Sequence, residues 1–369
     1  MIKWKVILLI WAACMLHALP AQEPGWPAFR GNAALTGTAG TPILRSYSLL
    51  WTFKMADGTK SSPVLYGDNL YIGCDDGNIY CLSQSGKLLW KFSTGTSVEA
   101  PPLCLNNTVY AGSLEGNFFA VDAKSGKLKW KFTTDGQISG SANYFVSGKG
   151  ARYITFGSYD YMLYCLEAGT GKLAWKYETE NYINGCAANN GKMVVFGGCD
   201  GQLHVVDLQK GSLLHKVNMG TYIASSATLD GNLAFLGNYD GIFHCADFIR
   251  NKILWSREGA GPFTGSPAVS GNRVVIGSQD RTIYCFNRTD GKLLWSRKTL
   301  GKIDGSPVIS GNLLAVSSGD GRLYILDLNT GRDVWTYEMG NPSVSSPAVA
   351  KDRLVIATSD GTVFAFGKK

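Results

Sequence analysis

Nothing between residues 45 and 369 carries an apolar stripe of helical period, so a helical repeat or bundle is excluded for that span. No apolar run reaches the roughly 18 residues that a membrane-spanning helix needs. Charged residues make up only 17% of the chain, which excludes a solvated, disordered tail protein. The net charge of +7 comes without any basic run, so the sequence offers no nucleic-acid footprint and no membrane-surface footprint. There is no adjacent cysteine pair and no C-x-x-C-H haem attachment. Glycine, by contrast, is abundant at 45 of 369 residues, as in proteins built from many tight turns.

The N-terminus reads MIKWKVILLIWAACMLHALPAQEPGW. Lys3 and Lys5 precede an apolar stretch from Val6 to Leu19, followed by Pro20 and a cleavable Ala21. This is the layout of a secretory signal peptide over residues 1–21, and it predicts export to the periplasm or the outer membrane. WAAC also resembles a lipoprotein box that would place a lipid on Cys14. Trp11 suits that box poorly and the apolar stretch runs on past Cys14, so ordinary cleavage is the preferred reading.

Tryptophans mark a repeat: Trp51, Trp90, Trp130, Trp175, Trp255, Trp295 and Trp335, with His215 in the one gap, at spacings of 39, 40, 45, 40, 40, 40 and 40. A carboxylate keeps step at Asp76, Glu115, Asp160, Asp200, Asp240, Asp280, Asp320 and Asp360. Within the unit at 305–340, PVIS, LLAVSS, RLYILD and DVWTYE alternate with SGN, GDG and NTG, which are short β segments between turns that favour positive φ. Each unit is therefore a four-stranded antiparallel meander, with a period suited to propeller blades. Seven units are complete, and the last, 345–369, stops after three strands. LLWTFKM at 49–55 supplies the fourth, which predicts a ring closed by its own N-terminal strand. The expectation is an all-β, eight-bladed propeller over residues 45–369, preceded by an arm at 22–44.

Ala120-x-Asp122…Gly126-Lys127…Trp130 and Asp327…Thr330-Gly331…Trp335 resemble the pyrroloquinoline-quinone (PQQ)-type propeller repeat, and the likeness extends over all eight units. It implies that each tryptophan docks on the small first residue of its motif and on the neighbouring unit. Those first residues are Cys81, Ala120, Cys165, Val205, Cys245, Cys285, Ile325 and Ala365. GWPAFRGNAALTG at 25–37 is similar to the arm that precedes such propellers, with Trp26 and Phe29 packing it onto a blade. The family divides between quinoprotein dehydrogenases and non-catalytic BamB-like scaffolds of outer-membrane protein assembly, so the fold alone does not choose.

Several residues are candidates for function. Glu99, Asn184 and Asp304 lie in loops leading to inner strands and could face the channel mouth; calcium beside a quinone would need about six to eight oxygen ligands. The eight carboxylates are read as turn residues rather than a metal ring. His204 alternates with Val205 and points away from His215, so those two cannot share a metal. His215 and His244 could meet in the seam between blades 4 and 5, where zinc would need further ligands. Cys81, Cys165, Cys245 and Cys285 sit at equivalent points on separate blades and are read as free thiols, while a bridge among Cys74, Cys104, Cys186 and Cys199 stays open. Tyr182, Tyr222 and Phe263 in inter-blade loops, with Tyr159 and Tyr239 before hairpin aspartates, form an expected aromatic arc on blades 3 to 6 for a protein or peptide partner. The reading that results is a monomeric, non-catalytic exported scaffold without cofactor. The alternatives are a small PQQ- and calcium-dependent dehydrogenase and a glycan-binding propeller.

Overall fold

The computed structural model describes residues 25–368; the expected signal peptide and any lipid on Cys14 lie outside the described residues. Among the described residues there are strands and turns and no helix. Blade 1 is formed by Val64–Tyr66, Asn69–Gly73, Asn78–Ser83 and Leu88–Ser93, running outward from a central channel. Six more blades repeat this order, and the eighth is made of Ala348–Ala350, Arg353–Ala357, Thr362–Gly367 and the N-terminal strand Ser48–Lys54. Trp51 there lies opposite Ala365, so ring closure uses the same register as the seven continuous blades. The single insertion in the repeat falls in the first hairpin of blade 3, between Asn143–Val146 and Arg152–Gly157.

Every outer strand carries a β-bulge just before its tryptophan or His215, as between Cys81 opposite Trp90 and Leu82 opposite Leu88. A bulge increases local twist and interrupts the edge ladder, which blunts edge-to-edge association. It also leaves two consecutive residues facing outward, such as Leu88 and Leu89.

The tryptophans lock each blade to the next. The Nε1–H of Trp51, Trp90, Trp130, Trp175, Trp255 and Trp295 donates to a carbonyl in the following blade's third hairpin at 2.8–3.2 Å. A hairpin glycine lies flat on each of these rings: a Cβ added to Gly86, Gly126, Gly171, Gly211, Gly291 or Gly331 would come within 2.5–2.8 Å of the indole. These glycines also hold positive φ, so both sterics and backbone demand glycine.

His215 keeps this role in a smaller form. Its Nε2 lies 2.6 Å from the Phe248 carbonyl, which fixes the proton on that nitrogen. Asn251 replaces glycine above it, and Val205 replaces the usual small residue opposite it. Ile325 sits under Trp335, so a bulky floor alone does not exclude the larger ring; the roof at Asn251 does. His215→Trp alone is expected to destabilise by about 1–3 kcal/mol through overpacking, and Asn251→Gly with Val205→Ala should restore most of it. Urea midpoints of the single and triple variants check this; an unimpaired single variant refutes it.

The arm does more than pack on one blade. Gly25–Trp26 adds a fifth strand to the blade 1 sheet by pairing with Val64–Tyr66. The chain then crosses the channel. Pro27, Ala33, Ala34, Thr36 and Gly37 carbonyls accept from the N–H groups of Cys104, Asn189, Leu229, Val269 and Ile309 in turn, at 2.7–3.0 Å. Ala33 also accepts from Asn143 Nδ2 at 2.8 Å. Trp26 is buried as expected, and Phe29, half-buried, packs against the core between blades 4 and 5 and lines the open channel above. Arg30 is 1% exposed and spans Pro307 O and Pro267 O at 2.5 Å each. Burial pushes its pKa down to about 9, still charged at neutral pH. Gly37 allows this, since a Cβ there would lie 2.0 Å from the guanidinium.

Candidate functional site

First and third hairpins share one face, joined by bonds such as Ala123 N–H to Asn107 O. Second hairpins and inter-blade loops share the other, joined by bonds such as Tyr239 N–H to Tyr222 O and Tyr159 N–H to Gln137 O. On this second, upper face the channel opens as a cup of about 320 Å³ above Phe29. A girdle of serines frames it. The N–H groups of Cys186, Ser226, Ser266, Ser306 and Ser346 donate to the hydroxyls of Ser226, Ser266, Ser306, Ser346 and Ser62 at 2.8–3.1 Å.

Glu99, Asn184 and Asp304 all line this cup, as their loop positions suggested. Their polar atoms are largely committed. Glu99 pairs with Lys60 at 2.6 Å. Asp304 accepts from Thr264 and Gln279 at 2.8 Å each and pairs with Lys302 at 3.1 Å. Asn184 donates to Tyr222 at 2.6 Å, leaving its Oδ1 without a partner. Among the described residues no three metal-ligating side chains of the His, Cys, Asp and Glu types converge. A calcium-held quinone therefore does not fit this donor set, because the carboxylates face lysines and sit on blades 2 and 7 rather than around one point.

The periodic carboxylates work as turn residues. Asp76, Asp160, Asp200, Asp280, Asp320 and Asp360 each accept the N–H two residues on at 2.8–3.2 Å. Most use the second oxygen for the side chain four residues on, as Asp320 does for Tyr324 at 2.7 Å. His204 substitutes for that tyrosine, with Nε2 2.9 Å from Asp200 and Nδ1 3.1 Å from Tyr177. His244 belongs to the seam expected for it, but it bonds Ser256 at 2.8 Å while His215 bonds Phe248 O, so the two do not form a metal pair. None of the eight described cysteines forms a disulfide. Cys186 is fully enclosed, and burial drives its thiol pKa far above the ordinary value. The bridge left open among Cys74, Cys104, Cys186 and Cys199 does not form.

Four of the five expected arc residues lie at the upper surface. Tyr159 stacks on Tyr182 with centroids 4.7 Å apart, and Tyr222 meets Tyr239 edge-on at 5.2 Å. Tyr182 and Tyr239 are 42% and 49% exposed, enough to offer a ring to a partner. Tyr222 is half-buried, and desolvation raises its hydroxyl pKa to about 12. Phe263 is the exception and is completely buried. It occupies the position of Ile183, Ile223 and Ile303, whose side chains fill the space beside a strand-end glycine; the Phe263 Cβ lies only 2.1 Å from where a Cβ on Gly237 would stand. Aligning it with Tyr182 and Tyr222 was one residue out, and the true equivalent is Pro262.

Sequence reasoning missed Tyr161, which lies 5.4 Å from Tyr182 and is 40% exposed. Its φ of 72° places a bulky side chain in the left-handed region that glycine occupies at Gly77, Gly201 and Gly241. The signal was present: DY stands where five units have DG, one has EG at Glu115 and one has DR at Asp280. Strain of this kind clusters at binding surfaces.

With the ring, the cup and the arc in place, the chain's family follows: it belongs to the PQQ-type propeller family whose model is described as outer membrane protein assembly factor BamB, matched over residues 45–157, 200–304 and 281–369. Among solved structures it is similar to BamB from Moraxella catarrhalis, at 18% identity and TM-score 0.75 over 87% of this chain and all of that one. It is likewise similar to quinohemoprotein alcohol dehydrogenase from Comamonas testosteroni, at 14% identity and TM-score 0.78 over 95% of this chain and 81% of that one. A europium-containing methanol dehydrogenase gives 11% identity and TM-score 0.79 over 94% and 98%. No curated protein matches the chain. At these identities the solved structures establish the shared fold alone.

Proposed function

We propose that this propeller is a non-catalytic, exported binding module of the cell envelope that holds a protein partner on its upper face, in the manner suggested by the BamB-like family. The observation that carries the reading is the arc of Tyr159, Tyr161, Tyr182, Tyr222 and Tyr239, in which Tyr159 stacks on Tyr182, Tyr222 meets Tyr239 edge-on, and Tyr161, Tyr182 and Tyr239 stay exposed. Such aromatic pairs are rigid, contribute area at little entropic cost, and are characteristic of interface hot spots. The committed carboxylates of the cup argue against the dehydrogenase reading. No helix of the described residues is long and apolar enough to cross a membrane.

Tyr182→Ala with Tyr239→Ala is the test, because both side chains are well exposed and their loss should leave thermal stability within about 0.5 kcal/mol. Crosslinked capture from envelope extract is expected to lose its partner proteins at least tenfold. Unchanged capture overturns the proposal. Cofactor absorbance after adding pyrroloquinoline quinone and calcium, with dye reduction by alcohols, would establish the enzyme instead.

A further inference from the structure

The two faces of the propeller carry opposite charge, although no run in the sequence announces it. The first and third hairpins of the blades, counted with the strand residue at each end and together the lower face, contain sixteen Lys and Arg against ten Asp and Glu. The second hairpins and inter-blade loops contain six against seventeen. The cause is the repeat itself. Lys87, Lys127, Lys172, Lys252 and Lys292 with Arg332 fall at one position of the third hairpins, about 40 residues apart except where blade 4 has Ser212, and folding gathers them at one end of the ring. The carboxylates of the Asp-Gly hairpins are gathered at the other end by the same phase.

Just above the basic hairpins runs an apolar belt. The outer-strand bulges expose Leu49, Leu88, Leu128, Leu173, Leu213 and Leu293, with adjacent leucines on several blades, at 37–51% exposure. Exposed apolar side chains set beside lysines whose stems cover them suit the boundary between lipid headgroups and acyl chains.

We infer that the lower face docks on an anionic lipid bilayer, with the basic hairpins against lipid phosphates and the leucine belt at the headgroup boundary. This orientation turns the acidic, tyrosine-bearing face away from the bilayer. The inference rests on the charge of the face and the leucine belt, so it stands or falls separately from the partner reading above.

Vesicle co-sedimentation of the full chain tests it. Vesicles of phosphatidylglycerol mixed with phosphatidylcholine should bind the protein, with affinity falling at least tenfold between 50 and about 200 mM salt. Pure phosphatidylcholine should bind at least tenfold less. Lys87, Lys127, Lys172 and Lys292 are exposed and outside every ion pair given by the structure, so changing all four to Glu should keep the fold. That variant should lose at least tenfold in vesicle binding. A control, Lys91, Lys131, Lys176 and Lys298 to Glu, makes the same change in net charge on outer strands and the upper side, and should lose less than threefold. Equal losses in the two variants, or no binding to anionic vesicles at 50 mM salt, overturns the inference. So does tighter binding to duplex DNA than to the vesicles at equal salt, which would mark a nucleic-acid face.

Discussion

Replacing Arg30 with alanine is expected to cost the fold about 3 kcal/mol, read as a lowered urea midpoint with unchanged slope. The guanidinium lies inside the plugged end of the channel and spans the Pro267 and Pro307 carbonyls. Pro267 O keeps a second donor in Thr228, at 2.7 Å, but Pro307 O is left buried and bare. An orphaned buried acceptor costs roughly 1–3 kcal/mol, and truncating so large a side chain adds a cavity beside Gly37. Relief of the desolvated charge offsets part of this, because no carboxylate pairs with Arg30. Arg30→Lys should recover little, since one ammonium cannot match two carbonyls held at the geometry of a planar fork. A loss below about 1 kcal/mol in the alanine variant would show that the arm is held by its backbone bonds alone.

The second large effect is one of pH. His244 is buried in the seam between blades 4 and 5, and desolvation lowers its pKa to about 4 from 6.5, partly opposed by the Met219 backbone. The unfolded chain therefore takes up a proton near pH 6.5 that the folded chain refuses until about pH 4. Stability is complete above 6.5 and is lost as pH falls through this window, by about 3 kcal/mol in all. The carboxylates with lowered pKa, Asp76, Asp122, Asp200 and Asp360, begin to cost stability only around and below the ordinary carboxylate value, at the acid edge of the window. His244→Phe places here the residue that Phe119 and Phe364 supply on other blades. It should flatten the fall in urea midpoint between pH 6.5 and 4; an unchanged slope would assign the effect to other groups.

The ring was legible because its signals repeat in phase. Tryptophan, hairpin carboxylate and turn glycine each recur every 40 residues, and any one of them fixes the blade boundaries. The serine girdle was equally periodic and was overlooked because serine in a loop draws no attention. The site was harder, for a physical reason: adjacent loop residues point in opposite directions. A slip of one position put Phe263 at the surface when its side chain fills the core. Tyr161 was readable only by asking what backbone angle its neighbours' glycines hold. The charge of the faces could not be seen in runs at all, because contiguity in space here means a separation of about 40 in sequence. His215 could be placed on its strand, but its meaning required Asn251, which is 36 residues away and lies on the next blade.

The arm has one further consequence. In most repeat arrays each unit touches only its two neighbours, so units can be gained or lost with little penalty elsewhere. Here the carbonyls of Pro27, Ala33, Ala34, Thr36 and Gly37 meet five different blades in order. A stretch of chain with fixed residue spacing thus acts as a gauge for the ring. A ninth blade would widen the channel and carry the receiving N–H groups out of step with it, and a seventh-only ring would crowd them. The number of blades is set by a segment that belongs to none of them.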